Sequence, residues 1–451
     1  MKIVIIGAGK VGEALIEHLS EEEHSITVVD LKADLVEKLR DHFDIIGVVG
    51  NGASYDVQKQ TEMENADMLI AVTNSDEANI LCCLTGKRMG AKYSVARVRN
   101  PEYSSHIDFM TEDLGINLII NPELEAANDI YRILSYPMAV SVETFAKGKV
   151  KMFGIDLDED TDLDGVSLID LKKEYGHDIL VCIVERDDKV TIPDGNFKLH
   201  GGDRIYVTGE LFKLQNFFKS QKIFKSRAKS VMIIGGGKIT YYLCKMLVKN
   251  KVEVKIIEID KKRCEELSRL IPKVEIINND GSLQEVMEEE HIASYDVAIS
   301  LTNIDEENII ISLYAKDKGV NKTITKLSRR DLIKILERVG LDTPITPKDI
   351  AANRIVRYVR AKQNSIGSSV ETLYKTAGDK VESLEFKVSP TFKGAGITLR
   401  DLKLKSNMLI ALIIRDRLTI YPRGNDTIEC GDRVIVVTTH LYLDDLNDIL
   451  L

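Results

Sequence analysis

The chain opens on an unbroken apolar run, Ile3-Val4-Ile5-Ile6, and then changes period: Val11, Leu15, Ile16 and Leu19 recur at helical spacing. A second β-branched run, Ile26-Thr27-Val28-Val29, follows, and the alternation continues. Runs near 2–6, 26–29, 45–49, 68–72, 93–98 and 117–120 read as strands, with helix-period stretches between them. Strand alternating with helix predicts a parallel, doubly wound α/β sheet with helices on both faces. A helix is expected from Glu123 to Ser135, and Pro137 stops it. The pattern then shortens. β runs at Val150–Ile155, Ile179–Val184 and Arg204–Thr208, with one helix around Ser167–Tyr175, predict a small α+β module.

The second half of the chain repeats the first. Gly235 and Gly237 stand 228 residues after Gly7 and Gly9, and Glu258 stands at the same offset from Asp30. Thr73-Asn74-Ser75-Asp76-Glu77-Ala78-Asn79 returns as Thr302-Asn303-Ile304-Asp305-Glu306-Glu307-Asn308. Asn121-Pro122 with Ala126-Ala127-Asn128 returns as Thr346-Pro347 with Ala351-Ala352-Asn353. Ile192-Pro193-Asp194-Gly195 and Gly202-Asp203-Arg204 return as Tyr421-Pro422-Arg423-Gly424 and Gly431-Asp432-Arg433. Offsets this steady indicate one duplicated unit and not a short-period solenoid. The expected domains are residues 1–134 and 230–362, two tandem Rossmann-like doubly wound sheets, each followed by an α+β module, 135–218 and 363–451. A basic linker, 219–229, joins the halves and reads as solvated surface.

Composition narrows the function. With 61 basic and 71 acidic residues the chain is acidic overall, which argues against nucleic acid as a partner. No apolar run approaches the roughly 18 residues a transmembrane helix needs. The opening run reads as a strand and not as a leader. Six cysteines without CxxC or zinc spacing suggest reduced, mostly buried thiols, and a cytoplasmic location is expected.

The candidate chemistry lies in the turn Gly7-x-Gly9-x-x-Gly12 between the first strand and helix. Gly7 permits a tight turn, Gly9 lets backbone approach a diphosphate, and Gly12 lets helix and strand pack closely. The N–H groups at the helix start, including that of Val11, face negative charge. Asp30, closing the second strand, can accept hydrogen bonds from both ribose hydroxyls and repel a 2′-phosphate. Lys10 would point at phosphate. Thr73 and Asn74 sit beside the crevice, Ser75 or Asp76 caps the following helix, and Arg97 closes the fifth strand where it can pair with phosphate. Gly52 follows the third strand at the crevice edge, although a plain turn is the commonest use of such a glycine. The second copy offers Gly235, Gly237, Lys238, Glu258, Asp280, Thr302 and Asn303, with Thr240 in place of the third glycine and Lys326 in place of Arg97. No metal-ligand pattern and no catalytic constellation stands out. The eight histidines fall on polar, apparently exposed stretches, and none recurs at a matched position. Nucleotide binding without chemistry is the better-supported reading; a soluble NAD-dependent oxidoreductase and a scaffold with vestigial sites are the alternatives.

Taken together, the duplicated glycine turns with Asp30 and Glu258, Thr73–Asn79, Asn121-Pro122-Glu123, and Ile192–Gly195 with Leu199 and Gly202–Ile205 resemble the TrkA family of tandem RCK (KTN) proteins over the full length. The resemblance implies a regulatory subunit, not an enzyme, that binds NAD(H) or ATP/ADP in the N-terminal module of each half. It implies that Gly7, Gly9, Lys10 and Gly12 cradle phosphates, that Asp30 holds ribose, that Thr73 and Asn74 line the base or nicotinamide side, and that Arg97 reaches phosphate. It further implies a homo-oligomeric, tetrameric ring on the cytoplasmic face of a TrkH-like potassium-translocating membrane protein.

Overall fold

The computed structural model describes residues 1–22, 24–104, 109–145, 150–175, 179–187, 189–221, 227–341, 343–364, 370–376, 380–416, 418–440, 443 and 445–451. They divide into two compact units that interleave along the chain. The first comprises Met1–Ser135 and Ala228–Val356, the second Tyr136–Arg227 and Arg357–Leu451.

In the first unit the first half gives β1 (Lys2–Ile6), α1 (Lys10–Ser20), β2 (Ser25–Asp30), α2 (Ala33–His42), β3 (Ile46–Val49), α3 (Tyr55–Gln60), β4 (Met68–Ala71), α4 (Asp76–Met89), β5 (Tyr93–Arg97), α5 (Pro101–Ser104), β6 (Leu118–Ile120) and α6 (Pro122–Ser135). The strands pair in parallel in the order β3-β2-β1-β4-β5-β6. The crossover between β3 and β4 passes back over β1, so the order reverses at β1/β4 and a crevice opens at the carboxyl ends of those strands. Central β1 is apolar from Ile3 to Ile6, all buried, because helices cover both its faces. Edge strand β3 leaves Ile46 and Val49 exposed.

The rest of the first half belongs to the second unit: β7 (Ser141–Phe145), β8 (Val150–Asp156), α7 (Leu168–Tyr175), β9 (Ile179–Arg186), β10 (Lys189–Thr191), β11 (Arg204–Gly209) and α8 (Leu211–Ser220). The second half of the chain repeats the doubly wound sheet with β12 (Ser230–Ile234), α9 (Lys238–Lys249), β13 (Glu253–Glu258), α10 (Lys261–Leu270), β14 (Glu275–Asn278), α11 (Gln284–Glu289), β15 (Val297–Ser300), α12 (Asp305–Asp317), β16 (Lys322–Lys326), α13 (Ile333–Arg338), β17 (Pro344–Ile345) and α14 (Pro347–Asn364). Its order, β14-β13-β12-β15-β16-β17, matches the first strand for strand.

The two doubly wound sheets share a core. Helix α6 leaves its own sheet and packs on α9, where Ala126, Ala127, Ile130 and Leu134 are buried with Val231, Ile233, Ile239, Leu243 and Leu247 of the second copy. The small Ala126-Ala127 pair allows the close approach. Asn121 donates to the Tyr242 hydroxyl at 2.9 Å, and Arg354 of α14 pairs with Glu125 of α6. The Ala126-Ala127 pair of the repeated landmark thus lies at the seam between the halves.

The second unit is built from two antiparallel sheets, β10-β9-β11-β8-β7 and, from β18 (Val370–Thr376), β19 (Val381–Lys387), β20 (Met408–Arg415), β21 (Leu418–Ile420) and β22 (Arg433–Thr438), the order β18-β19-β22-β20-β21. One cluster joins them: Phe145, Met152, Cys182 and Ile183 meet Val381, Leu412, Ile435 and Val437. The Gly-Asp-Arg landmark has a structural job here. Asp203 is fully buried and takes Nε and Nη2 of Arg186 at 2.6 and 2.7 Å, and Asp432 takes Arg415 in the same fork at 2.9 Å. Helix α8 was not expected from the sequence pattern, and it continues two residues into the stretch read as linker; residues 222–226 of that stretch lie outside the described residues.

Candidate functional site

Each glycine of the first turn answers a different demand. Gly7 has φ +112°, and a Cβ there would lie 2.9 Å from the Thr73 amide nitrogen. A Cβ on Gly12 would lie 1.9 Å from the Gly7 carbonyl oxygen. Gly9 is different: its φ of −73° suits any residue, and a Cβ would meet nothing within 4 Å. Gly237 repeats this, with φ −66° and open space, while Gly235 repeats Gly7 with φ +103°. Thr240 stands at the position of Gly12 in the second turn, and its hydroxyl donates to the Gly235 carbonyl at 2.5 Å. Val11 is buried, so only its backbone N–H can face a ligand, and Lys10 and Lys238 are exposed at the helix starts.

The acid at the end of the second strand holds the turn. Asp30 accepts from the Ala8 amide at 2.7 Å and from the Lys32 amide at 3.0 Å. Glu258 does the same for Gly236 and Asp260, at 2.5 and 2.8 Å. Carboxylate lone pairs remain for ribose, but part of each acid's capacity already serves the backbone, a role its position in the sequence did not disclose. Gly52 is a packing residue: a Cβ would lie 2.2 Å from Ile6 Cγ2.

The fourth loop is organised by an asparagine not singled out as a site residue. Asn79 is fully buried; its Oδ1 accepts from the Thr73 amide and hydroxyl at 2.8 and 2.7 Å, and its Nδ2 donates to the Thr73 and Arg97 carbonyls at 3.1 and 2.8 Å. Asn308 ties Thr302 to the Lys326 carbonyl in the same way. Ser75 caps α4 by accepting from the Ala78 amide at 3.1 Å. Arg97 donates to the Thr73 carbonyl and to Asn74 Oδ1, is 8% exposed, and keeps a buried Nε with no hydrogen-bond partner among the described residues. Burial, with Arg99 adding a like charge, pushes its pKa down to about 10. Lys326 donates to the Thr302 carbonyl at 3.0 Å and to Asn303 Oδ1 at 3.3 Å, and burial lowers its pKa too.

All the second-copy candidates line one cavity of about 740 Å³: Gly235, Gly237, Lys238, Glu258, Asp280, Thr302 and Asn303. Sequence reading missed three more of its walls. Arg263 of α10 donates to the Gly236 carbonyl at 2.6 Å, and Glu123 and Pro347 arrive on α6 and α14. Glu123 was visible only within the Asn121-Pro122-Glu123 motif, since its placement needs the shared core. The histidines need one correction: the His24 side chain is fully buried, against Glu22 at 3.0 Å; His106 and His177 lie outside the described residues. Among the described residues no cluster of His, Cys, Asp and Glu could hold a metal ion.

Two glycine turns at the strand-order switch of two doubly wound sheets, with a small antiparallel module after each, define a tandem Rossmann-like protein of the nucleotide-binding class. Family models specify it further: the TrkA-N domain matches residues 3–122 and 231–347, and the TrkA-C domain matches 152–220 and 384–451. The chain belongs to the TrkA family. It is 32% identical to Trk system potassium uptake protein TrkA homolog 1 of Methanosarcina mazei, over 97% of each chain, and 32% identical to the TrkA homolog of Archaeoglobus fulgidus over the whole of both. The solved GsuK channel bound to NAD shares the fold, with a TM-score of 0.65 at 17% identity over 97% of this chain and 76% of that one.

Proposed function

We infer that the chain is a cytoplasmic regulatory subunit of potassium uptake that binds NAD(H) or ATP/ADP and passes the binding energy to a TrkH-like membrane partner. The observation that carries the nucleotide reading is the pair Gly9 and Gly237. Neither backbone angle nor packing within the protein requires glycine there, and the space each leaves is where a diphosphate would meet backbone N–H groups. The unpartnered Nε of buried Arg97 supports an anion beside the first turn. Whole-length relatives named for Trk potassium uptake support the transport role, and the GsuK structure shows that a protein of this fold accepts NAD. No helix among the described residues is long and apolar enough to cross a membrane; in this reading the potassium path lies in the partner.

In this reading Gly7, Gly9, Lys10, Gly12 and the Val11 N–H hold phosphate, Asp30 keeps lone pairs for ribose, and the Thr73–Asn74 loop faces the base or nicotinamide. Binding that favours one arrangement of a homo-oligomeric, tetrameric ring shifts its population and so the partner's gate. Purified protein should gain thermal stability with NAD(H), ADP or ATP and leave them unaltered, and potassium flux through vesicles carrying the partner should change with the nucleotide added. Turnover of NADH at ordinary enzyme rates with a small substrate would overturn the regulatory reading.

A further inference from the structure

The two sites share their backbone frame and differ in charge. Around the second cavity stand the cations Lys238, Arg263 and Lys326 and the anions Glu258, Asp260, Asp280, Glu307 and Glu123, a formal balance of −2. Matched positions in the first copy follow from identical local bonding. Lys32 donates its amide to Asp30 as Asp260 does to Glu258. Asn51 accepts from the amide two residues on, as Asp280 does. Lys348 is the second residue of α14, as Glu123 is of α6. At the positions matched to the charged lining of the second cavity, the first copy has Lys10, Lys32, Arg97 and Lys348 against Asp30, with Leu35, Asn51 and Ala78 uncharged where Arg263, Asp280 and Glu307 stand, a formal balance of +3 over those positions.

The largest contrast is the residue each half lends to the other. Lys348 lines a cavity of about 370 Å³ beside α1, with the cations Lys10 and Lys38 and the acids Glu13, Glu17 and Asp349. Glu123 lines the second cavity; its Oε1 lies 4.0 Å from Arg99 Nη1, and its Oε2 is buried without a hydrogen-bond partner among the described residues. Its charge acts on Lys326 across that cavity.

We propose that the two sites sort nucleotides by charge: the first takes the polyanionic nucleoside triphosphate or diphosphate, and the second takes the less charged adenine dinucleotide, with Lys348 and Glu123 as the selecting residues. The proposal rests on the nucleotide-binding reading above. Terminal phosphates that gain from Lys348 and Lys32 in the first site meet Glu123 and Asp280 in the second, in a partly enclosed cavity where solvent screens them less than at an open surface.

Gly9→Glu and Gly237→Glu each close one site, and the open space at both positions lets the folded chain accept the side chain. Calorimetric titrations in EDTA would run NAD⁺, NADH, ADP and ATP, in order of rising negative charge. The Gly9→Glu variant, with the second site left, should bind NAD⁺ at least about tenfold more tightly than ATP, and the Gly237→Glu variant should reverse the order. Adding Glu123→Gln to Gly9→Glu should tighten ATP by about tenfold and NAD⁺ by under about twofold. Adding Lys348→Glu to Gly237→Glu should weaken ATP in the same proportion. A Glu123→Gln effect equal for all four ligands, or one rank order in both single-site variants, would overturn the proposal. If a variant fails to fold, the unaltered chain decides: ATP and NAD⁺ bound together, one of each per chain, supports sorting, and ATP displacing all bound NAD⁺ defeats it. Failure of the unaltered chain to bind any of the four would instead defeat the nucleotide-binding reading.

Discussion

The first and second glycine turns are the same device under different constraints. In both, a carboxylate from the second strand accepts two amides and fixes the turn, and a buried asparagine fixes the facing loop. The first turn is so tight at Gly12 that no Cβ fits, whereas the second admits Thr240 and gains a hydroxyl bond to Gly235. Duplicated backbone geometry is preserved because unpaired buried amides and carbonyls are costly. Side chains lining the crevice meet solvent or ligand, so their charges are free to diverge.

The comparison breaks most visibly at the third position. Gly12→Val should destabilise the protein by about 3 kcal/mol in urea unfolding, because the Gly7 carbonyl cannot move without losing the turn. Thr240→Gly should cost only about 1 kcal/mol, the helical penalty of glycine. Equal losses would mean the turns are constrained alike. Next, Asn79→Ala and Asn308→Ala should each cost about 2 kcal/mol by leaving buried backbone groups unpaired, and the two losses should agree closely in thermal melts. A clear inequality would show that the loops are held differently.

A smaller effect distinguishes Arg97 from Lys326. Burial lowers Lys326 below the ordinary lysine value, so the folded protein loses this cation at a lower pH than the unfolded chain does. In that alkaline window the unfolded chain holds the extra proton, so this group's contribution to stability rises with pH while the second site loses positive charge. Lys326→Arg should carry nucleotide affinity at the second site to higher pH; coincident pH profiles would exclude Lys326 as the group responsible. The smallest effect concerns the helix that follows. Ser75 caps α4, but its counterpart Ile304 is 49% exposed and supplies no cap bond. Ile304→Ser should therefore stabilise by about 0.5–1 kcal/mol, measured by the urea midpoint, and Ser75→Ala should lose a similar amount.

Much of the fold was legible because its signals are local. β-branched runs alternating with helical periods specify the doubly wound sheets, and positive φ at Gly7 and Gly235 follows from a strand turning straight into a helix. The site was legible only in part. Thr73, Asn74 and Arg97 could be placed near the crevice from strand order, but Asn79, which ties Thr73 to Arg97, looked like one more polar residue on a helix. Gly52 read as a crevice glycine, yet Ile6 is what excludes a side chain there.

The sequence alone determined the duplication, the parallel sheets and the two glycine turns, since each is written in spacing along the chain. Only the tertiary structure decided that α6 leaves its own sheet to pack on α9, because that choice depends on which apolar faces can bury each other. With that packing came the placement of Glu123 in the second cavity and of Lys348 beside Lys10. Part of the charge contrast between the sites, the Lys348/Glu123 pair, thus comes from residues far from them in sequence, brought there with the burial of Ala126, Ala127, Ile130 and Leu134.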